Sequence, residues 1–130
     1  MCMRQISRML EDPQQNMTMS CGFPYAYKGA QAVQDGQVLS LIGYEIKVLH
    51  TPGHTPGGCC YYMEQEGVLF SGDTLFQTSV GRSDFPGGSA SALVRSVKEK
   101  LLVLPEETHV YPGHMEETTI GYEKLHNPFI

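Results

Sequence analysis

The sequence predicts a single, loop-rich α/β domain, and three observations lead there. A chain of 130 residues and 14.4 kDa supplies one hydrophobic core and little more. Fourteen glycines and eight prolines are too many for a helical bundle, while 41% hydrophobic content is too high for a disordered chain. The middle of the chain alternates apolar and polar residues at the period of strands, and a later stretch repeats at the period of a helix.

The elements follow in order. Ile6, Met9 and Leu10 stand at helical spacing, so residues 3–11 read as a short amphipathic helix that Asp12-Pro13 ends. Residues 14–34 show no period, and their glycines, Pro24 and interspersed aromatics read as a long loop. Residues 37–41 and 44–50 read as strands separated by Ile42-Gly43. Strands over 59–63 and 68–70 follow, joined by Glu64-Gln65-Glu66-Gly67 as a hairpin turn. Residues 89–104 read as a helix capped by Ser89 or Ser91, with Leu93, Val97, Leu101 and Leu104 as its apolar stripe and Pro105 as its stop. A short strand over 108–111 and a short helix over 118–126 complete the chain.

Charge and cysteine usage narrow the partners. Nine basic against fourteen acidic residues leave a net −5, with no run of Lys or Arg, which argues against nucleic acid and anionic membranes. The opening MCMRQISRML holds no apolar run of secretory length. Cys2, Cys21, Cys59 and Cys60 form no C-x-x-C, and adjacent Cys59 and Cys60 point to opposite faces of a strand. Reduced thiols in the cytoplasm are therefore expected, and the acceptor pattern Asn16-Met17-Thr18 is incidental.

Three segments carry the residues of chemical interest: Thr51-Pro52-Gly53-His54-Thr55-Pro56-Gly57-Gly58, Ser71-Gly72-Asp73-Thr74 and Tyr111-Pro112-Gly113-His114. Each places one His or Asp on a glycine-bearing turn directly after a predicted strand. Imidazole and carboxylate are the usual nitrogen and oxygen ligands of zinc. Taken singly, each is explained by turn chemistry alone.

Taken together, H-x-P-G-H-T-P-G from His50, F-S-G-D-T from Phe70 and Y-P-G-H from Tyr111 resemble the ordered signature of the metallo-β-lactamase superfamily, in particular its glyoxalase II-like (hydroxyacylglutathione hydrolase-like) branch. Gly81-Arg82-Ser83-Asp84 resembles the family's G-R-[ST]-D loop, and Asn127-Pro128-Phe129 the end of its short members. The resemblance implies half of an αββα sandwich: a mixed, mainly antiparallel sheet with helices on one face, as a single partial domain over residues 1–130. It implies His54 as ligand of a first metal, His114 of a second, and Asp73 as the bridging, catalytic ligand of both. The family's metals are two, usually zinc, with iron or manganese chemically admissible. Its reaction is hydrolysis of an ester, thioester or amide, here a small thioester such as an acylglutathione.

One part of the family pattern is missing. The H-x-H-x-D-H motif that supplies the other ligands is absent: the histidines are 50, 54, 109, 114 and 126, and none forms H-x-H. The resemblance thus implies a truncated hydrolase without its first half. Two ligands per metal, one of them shared, fall short of the three of a catalytic zinc, so the isolated chain is expected to hold metal weakly or not at all and to be inactive. A two-His, one-carboxylate iron triad is discounted because the two histidines face different metals in the family. His50 is expected to pack, and His109 and His126 to lie at the surface. Tyr61, Tyr62 and Tyr111 are expected in the strand core. Arg82 and Asp84 either line the mouth of a substrate pocket or pair to hold their loop, and the pairing reading is the stronger.

Losing the first half also exposes a sheet face bearing Val48, Val68 and Phe70, at about 25 cal/mol per Å². Because the family's two halves are alike, two copies are expected to pack sheet to sheet as a homodimer. Two alternatives stand beside the inactive hydrolase. One is an active enzyme whose site a partner or second protomer completes, the other a non-enzymatic structural or binding module.

Overall fold

The structure is a computed structural model that describes residues 2–3, 32–84 and 86–130. The helix expected over 3–11 lies outside the described residues except for Met3, which is in a strand, and so does most of the loop over 14–34. The short strand β1 (Cys2–Met3) pairs in parallel with β2 (Ala32–Val33).

The main sheet holds β3 (Val38–Leu41), β4 (Tyr44–His50), β5 (Cys59–Met63), β6 (Val68–Gly72), β9 (His109–Pro112) and β10 (Thr118–Thr119). Its order is β10-β9-β6-β5-β4-β3, and every neighbouring pair is antiparallel except β6 and β9. Between those two run the hairpin β7 (Leu75–Phe76) and β8 (Ser79–Val80), and then helix α1 (Ala90–Ser96). Helix α1 continues through a widened π-helical turn, Val97–Leu101. Helix α2 (Ile120–His126) closes the chain.

The turns follow from their residues. Ile42 and Gly43 both have positive φ, 52° and 80°, as a two-residue hairpin requires. Glu64–Glu66 form a 3₁₀ turn that Gly67 closes in the left-handed region at φ 65°. Ser89 caps α1 by accepting a hydrogen bond from the Ala92 amide.

The pleat gives the sheet two different faces. Leu49, Cys60, Tyr62, Leu69 and Val110 point to one side, where they pack with Leu75, with Val97 and Leu101 of the α1 stripe, and with Ile120 of α2. Both helices therefore cover the same face, as predicted. On the opposite face the registered row Val48, Tyr61, Phe70 and Tyr111 crosses four strands. Val33, Leu39, Cys59 and Tyr61 gather around Val48 there. Further along the row Phe70 is 43% and Tyr111 38% exposed, and their rings stack at 5.7 Å.

Several expectations are corrected. The helix predicted to Leu104 ends at Leu101, where the Leu102 amide bonds the Val97 carbonyl in a widened turn and the Leu104 amide the Leu101 carbonyl in a tight one. Thr118 and Thr119 are not helical: these β-branched residues pair with Val110 and His109, and Thr119 caps α2 through the Tyr122 amide. The strand predicted over 68–70 runs on to Gly72, and the one over 108–111 lies at His109–Pro112. Tyr111 is not a core residue, since its register places it on the face away from the helices. Val48, expected on an exposed face, is fully buried because Val33 and Leu39 close over it.

Candidate metal centre

Strand direction gathers the three motif residues. β4 and β6 each run antiparallel to β5, and β9 runs parallel to β6, so β4, β6 and β9 point the same way. Their C-terminal ends share one edge of the sheet, and His54, Asp73 and His114 follow those ends. A register shift between Phe70 and Gly72 interrupts the β6 ladder just before Asp73 and turns the chain out of the sheet.

Asp73 lies between the two histidines. Its Oδ1 accepts a hydrogen bond from His114 Nδ1 at 2.9 Å, and its Oδ2 lies 3.4 Å from His54 Nε2. His54 is positioned from behind: its Nδ1 donates to the Arg82 carbonyl oxygen at 2.7 Å. In the neutral ring that donation leaves Nε2 with its lone pair, facing a carboxylate oxygen. Two acceptors at this separation call for a proton or cation between them. Donating one ring N–H to a backbone carbonyl fixes the tautomer and ring orientation, as the outer partners of metal-ligating histidines do.

The loops are held by close packing. Gly53 has φ 145°, and a Cβ there would sit 2.3 Å from the Leu93 Cα, so only glycine lets this loop rest on the first turn of α1. The Ser89 amide donates to the Gly53 carbonyl and the Ser96 hydroxyl to the Pro52 carbonyl, both at 2.7 Å. At Gly81 a Cβ would lie 1.7 Å from the Asp73 carbonyl oxygen, so the loop carrying Arg82 passes directly against the Asp73 backbone. Beneath the site Thr51 bonds both Cys60 Sγ and Thr74 Oγ1, and the Ser71 hydroxyl donates to the Leu75 carbonyl.

Arg82 and Asp84 pair with each other through two hydrogen bonds, of 3.0 and 2.8 Å. The pairing holds the guanidinium above and the carboxyl below their ordinary values. Asp84 therefore acts on its own loop, while Arg82 also lines the cavity beside His54. His50 stands away from the centre, its Nε2 bonded to the Pro56 carbonyl at 2.9 Å. His109 pairs with Glu117 and His126 lies against Tyr122, both outside the centre.

Sequence reasoning missed three residues. Phe76 meets the His114 ring edge-on, with centroids 5.7 Å apart, and Met115 lines the same cavity. Met115 directly follows the histidine of Y-P-G-H, which was the available signal. Glu123 is fully buried and accepts from the Thr78 amide, the Thr118 hydroxyl and the Asn127 side chain, tying α2 to the β7–β8 hairpin. Its i, i+4 spacing to Asn127 was legible.

Two imidazoles and a carboxylate suit zinc, iron or manganese in donor type. In number they do not close a site: among the described residues no three His, Cys, Asp or Glu side chains are arranged to hold one metal ion. The two histidines address different oxygens of Asp73. The order of these motifs and their convergence at one sheet edge agree with the family model described as the metallo-β-lactamase superfamily, which matches residues 9–114. The chain belongs to the metallo-β-lactamase superfamily.

Among superfamily proteins, the hydroxyacylglutathione hydrolase GloC of Haemophilus influenzae is 44% identical over 97 residues, covering 75% of this chain and 46% of GloC. The crystal structure of BLEG-1 B3 metallo-β-lactamase superposes with a TM-score of 0.87 at 40% identity, covering 98% of this chain and 63% of that one. That of TTHA1623 in a di-iron-bound form gives 0.82 at 36% identity, covering 99% and 63%. The chain spans about half the length of the curated relatives it matches. Among the described residues no helix is long and apolar enough to cross a membrane.

Proposed function

We propose that this chain supplies the His54–Asp73–His114 side of a two-metal hydrolase site acting on a small thioester of the acylglutathione type. The observation that carries the reading is that Asp73 offers one carboxylate oxygen to each of two histidines on separate loops. His54, Asp73 and His114 would be this chain's ligands, with Asp73 facing both histidines. Metals held there would supply Lewis-acid chemistry for hydrolysis of a carbonyl substrate by water near neutral pH. The chain's own residues orient that chemistry: the Arg82 carbonyl fixes the His54 ring and Phe76 braces His114.

The remaining ligands come from polypeptide beyond these 130 residues, so the isolated chain holds zinc weakly and turns over little or no substrate. The aromatic sheet face at Phe70 and Tyr111 pairs with a second copy, and the protein works in the cytoplasm, in keeping with four cysteines that form no C-x-x-C pattern.

Metal content and molar mass measured on one purified sample test this directly, by elemental analysis and by light scattering after sizing. A dimer with less than one retained metal per chain, gaining zinc only at excess, is the expected result. A monomer overturns the pairing. Zinc uptake unchanged by His54→Ala and Asp73→Ala overturns the metal site.

A further inference from the structure

Beside the three motif residues lies a cavity of about 450 Å³, lined by His54, Asp73, Phe76, Arg82, His114 and Met115. Its polar groups are already engaged with one another. His54, Asp73 and His114 form one chain of contacts, and the Arg82 guanidinium is matched by the Asp84 carboxylate. What the cavity offers a ligand beyond those groups is apolar, namely Phe76 and Met115.

Met115 is the unusual member. It occupies the left-handed region at φ 67°, where a side chain strains the backbone, and leaves 66% of its surface exposed. Folding alone favours glycine or asparagine there, and solubility favours a polar side chain. A flexible thioether kept at such a position, next to His114 and lining the same cavity as Phe76, suits contact with an apolar ligand of variable shape.

We infer that Phe76 and Met115 form an acyl subsite, and that this protein takes thioesters of apolar acyl groups, such as a hexanoyl chain, in preference to short hydroxylated ones. The inference deepens the thioester reading and rests on it for the word acyl. The apolar subsite itself is a property of these side chains. The reacting carbonyl sits toward Asp73 and the alkyl chain runs along Met115.

Binding of two neutral carbonyl compounds tests it, with hexanamide as the probe for an apolar acyl group and lactamide for a short hydroxylated one. The isotopically labelled full chain is titrated with each, and the Met115 methyl and His114 amide resonances are followed by NMR without added metal. Each buried methylene contributes about fourfold, so hexanamide should bind at least about tenfold more tightly than lactamide. In Met115→Gly the backbone strain is relieved, so the melting temperature should rise while hexanamide affinity falls at least about threefold. That split separates a subsite from a merely structural residue. Equal affinity for the two amides, shifts confined to residues away from the cavity, or unchanged hexanamide binding in Met115→Gly would each overturn the subsite. Repeating the titrations in excess zinc, where the proposed site takes up metal, separates the two readings. No zinc-dependent change with the hexanamide preference intact leaves the subsite standing and removes the metal site.

Discussion

Thr51 and Thr74 share a hydrogen bond of 3.1 Å in the buried layer beneath the candidate metal centre, joining the loop that carries His54 to the loop that carries Asp73. Thr51 also bonds Cys60 Sγ, whose thiol donates to the Ser71 carbonyl, so the two motifs are linked through their supports as well as their tips. Replacing Thr51 with valine removes the hydroxyl that joins Thr74 Oγ1 and Cys60 Sγ in a dry layer and should cost about 1–3 kcal/mol in urea unfolding. The Thr51→Val, Thr74→Val double variant should lose less than the sum of the two singles. Strict additivity would show that the two hydroxyls are not coupled.

Asp35 ties the β2–β3 turn to the end of β4 and to helix α1. Burial alone would raise its carboxyl, but hydrogen bonds from the His50 amide and the Lys100 ammonium outweigh it and hold the group below its ordinary value. A carboxyl depressed in the folded state stabilises above its unfolded value of about 4 and loses that contribution as the pH falls through the folded one. Wild type should therefore exceed Asp35→Asn in stability above about pH 5, and the gap should close toward pH 3. Parallel stability curves across that range would remove the ion pair from the account.

Cys60 is fully buried, and burial pushes its thiol up to about 11, against the lowering effect of the Thr51 and Thr74 hydroxyls. At pH 8 only about one thiol in a thousand is then ionised. In a chain with Cys2, Cys21 and Cys59 changed to serine, Ellman's reagent at pH 8 should find no thiol until denaturant is added. Rapid labelling of the native protein would mean that the layer under the site opens readily.

Ile42 is 96% exposed and sits at φ 52°, in a conformation that suits Asn or Gly and strains a β-branched residue. Ile42→Asn should raise stability by about 1 kcal/mol and the melting temperature by about 3–5 °C. A fall in stability would show that the Ile42 side chain makes contacts that outweigh its strain.

Much of this was legible in the residues. The apolar stripe of α1, the Ser89 cap and the β3–β4 and β5–β6 hairpins are local patterns, set by side-chain period and turn chemistry, and they lie where the sequence places them. The motif residues His54, Asp73 and His114 were legible as strand-end residues for the same reason. Less so were Thr118 and Thr119, whose strand exists only because β9 lies beside it, and the end of α1, which widens into a π-helical turn ahead of Pro105. The cavity wall of Phe76 and Met115 joins residues far apart in the chain, and no period links them.

By itself the sequence determined the longer strands and helices, the β3–β4 and β5–β6 turns and the kind of donor each loop carries, because backbone sterics and side-chain chemistry act within a few residues. Tertiary structure alone decided that β4, β6 and β9 run in one direction, so that three separated loops meet at one sheet edge. It also decided that Asp73 divides its two oxygens between two histidines, and that the Arg82 backbone carbonyl meets His54. Strand order and register are long-range pairings, and the identity of any one residue does not encode its partner across the sheet.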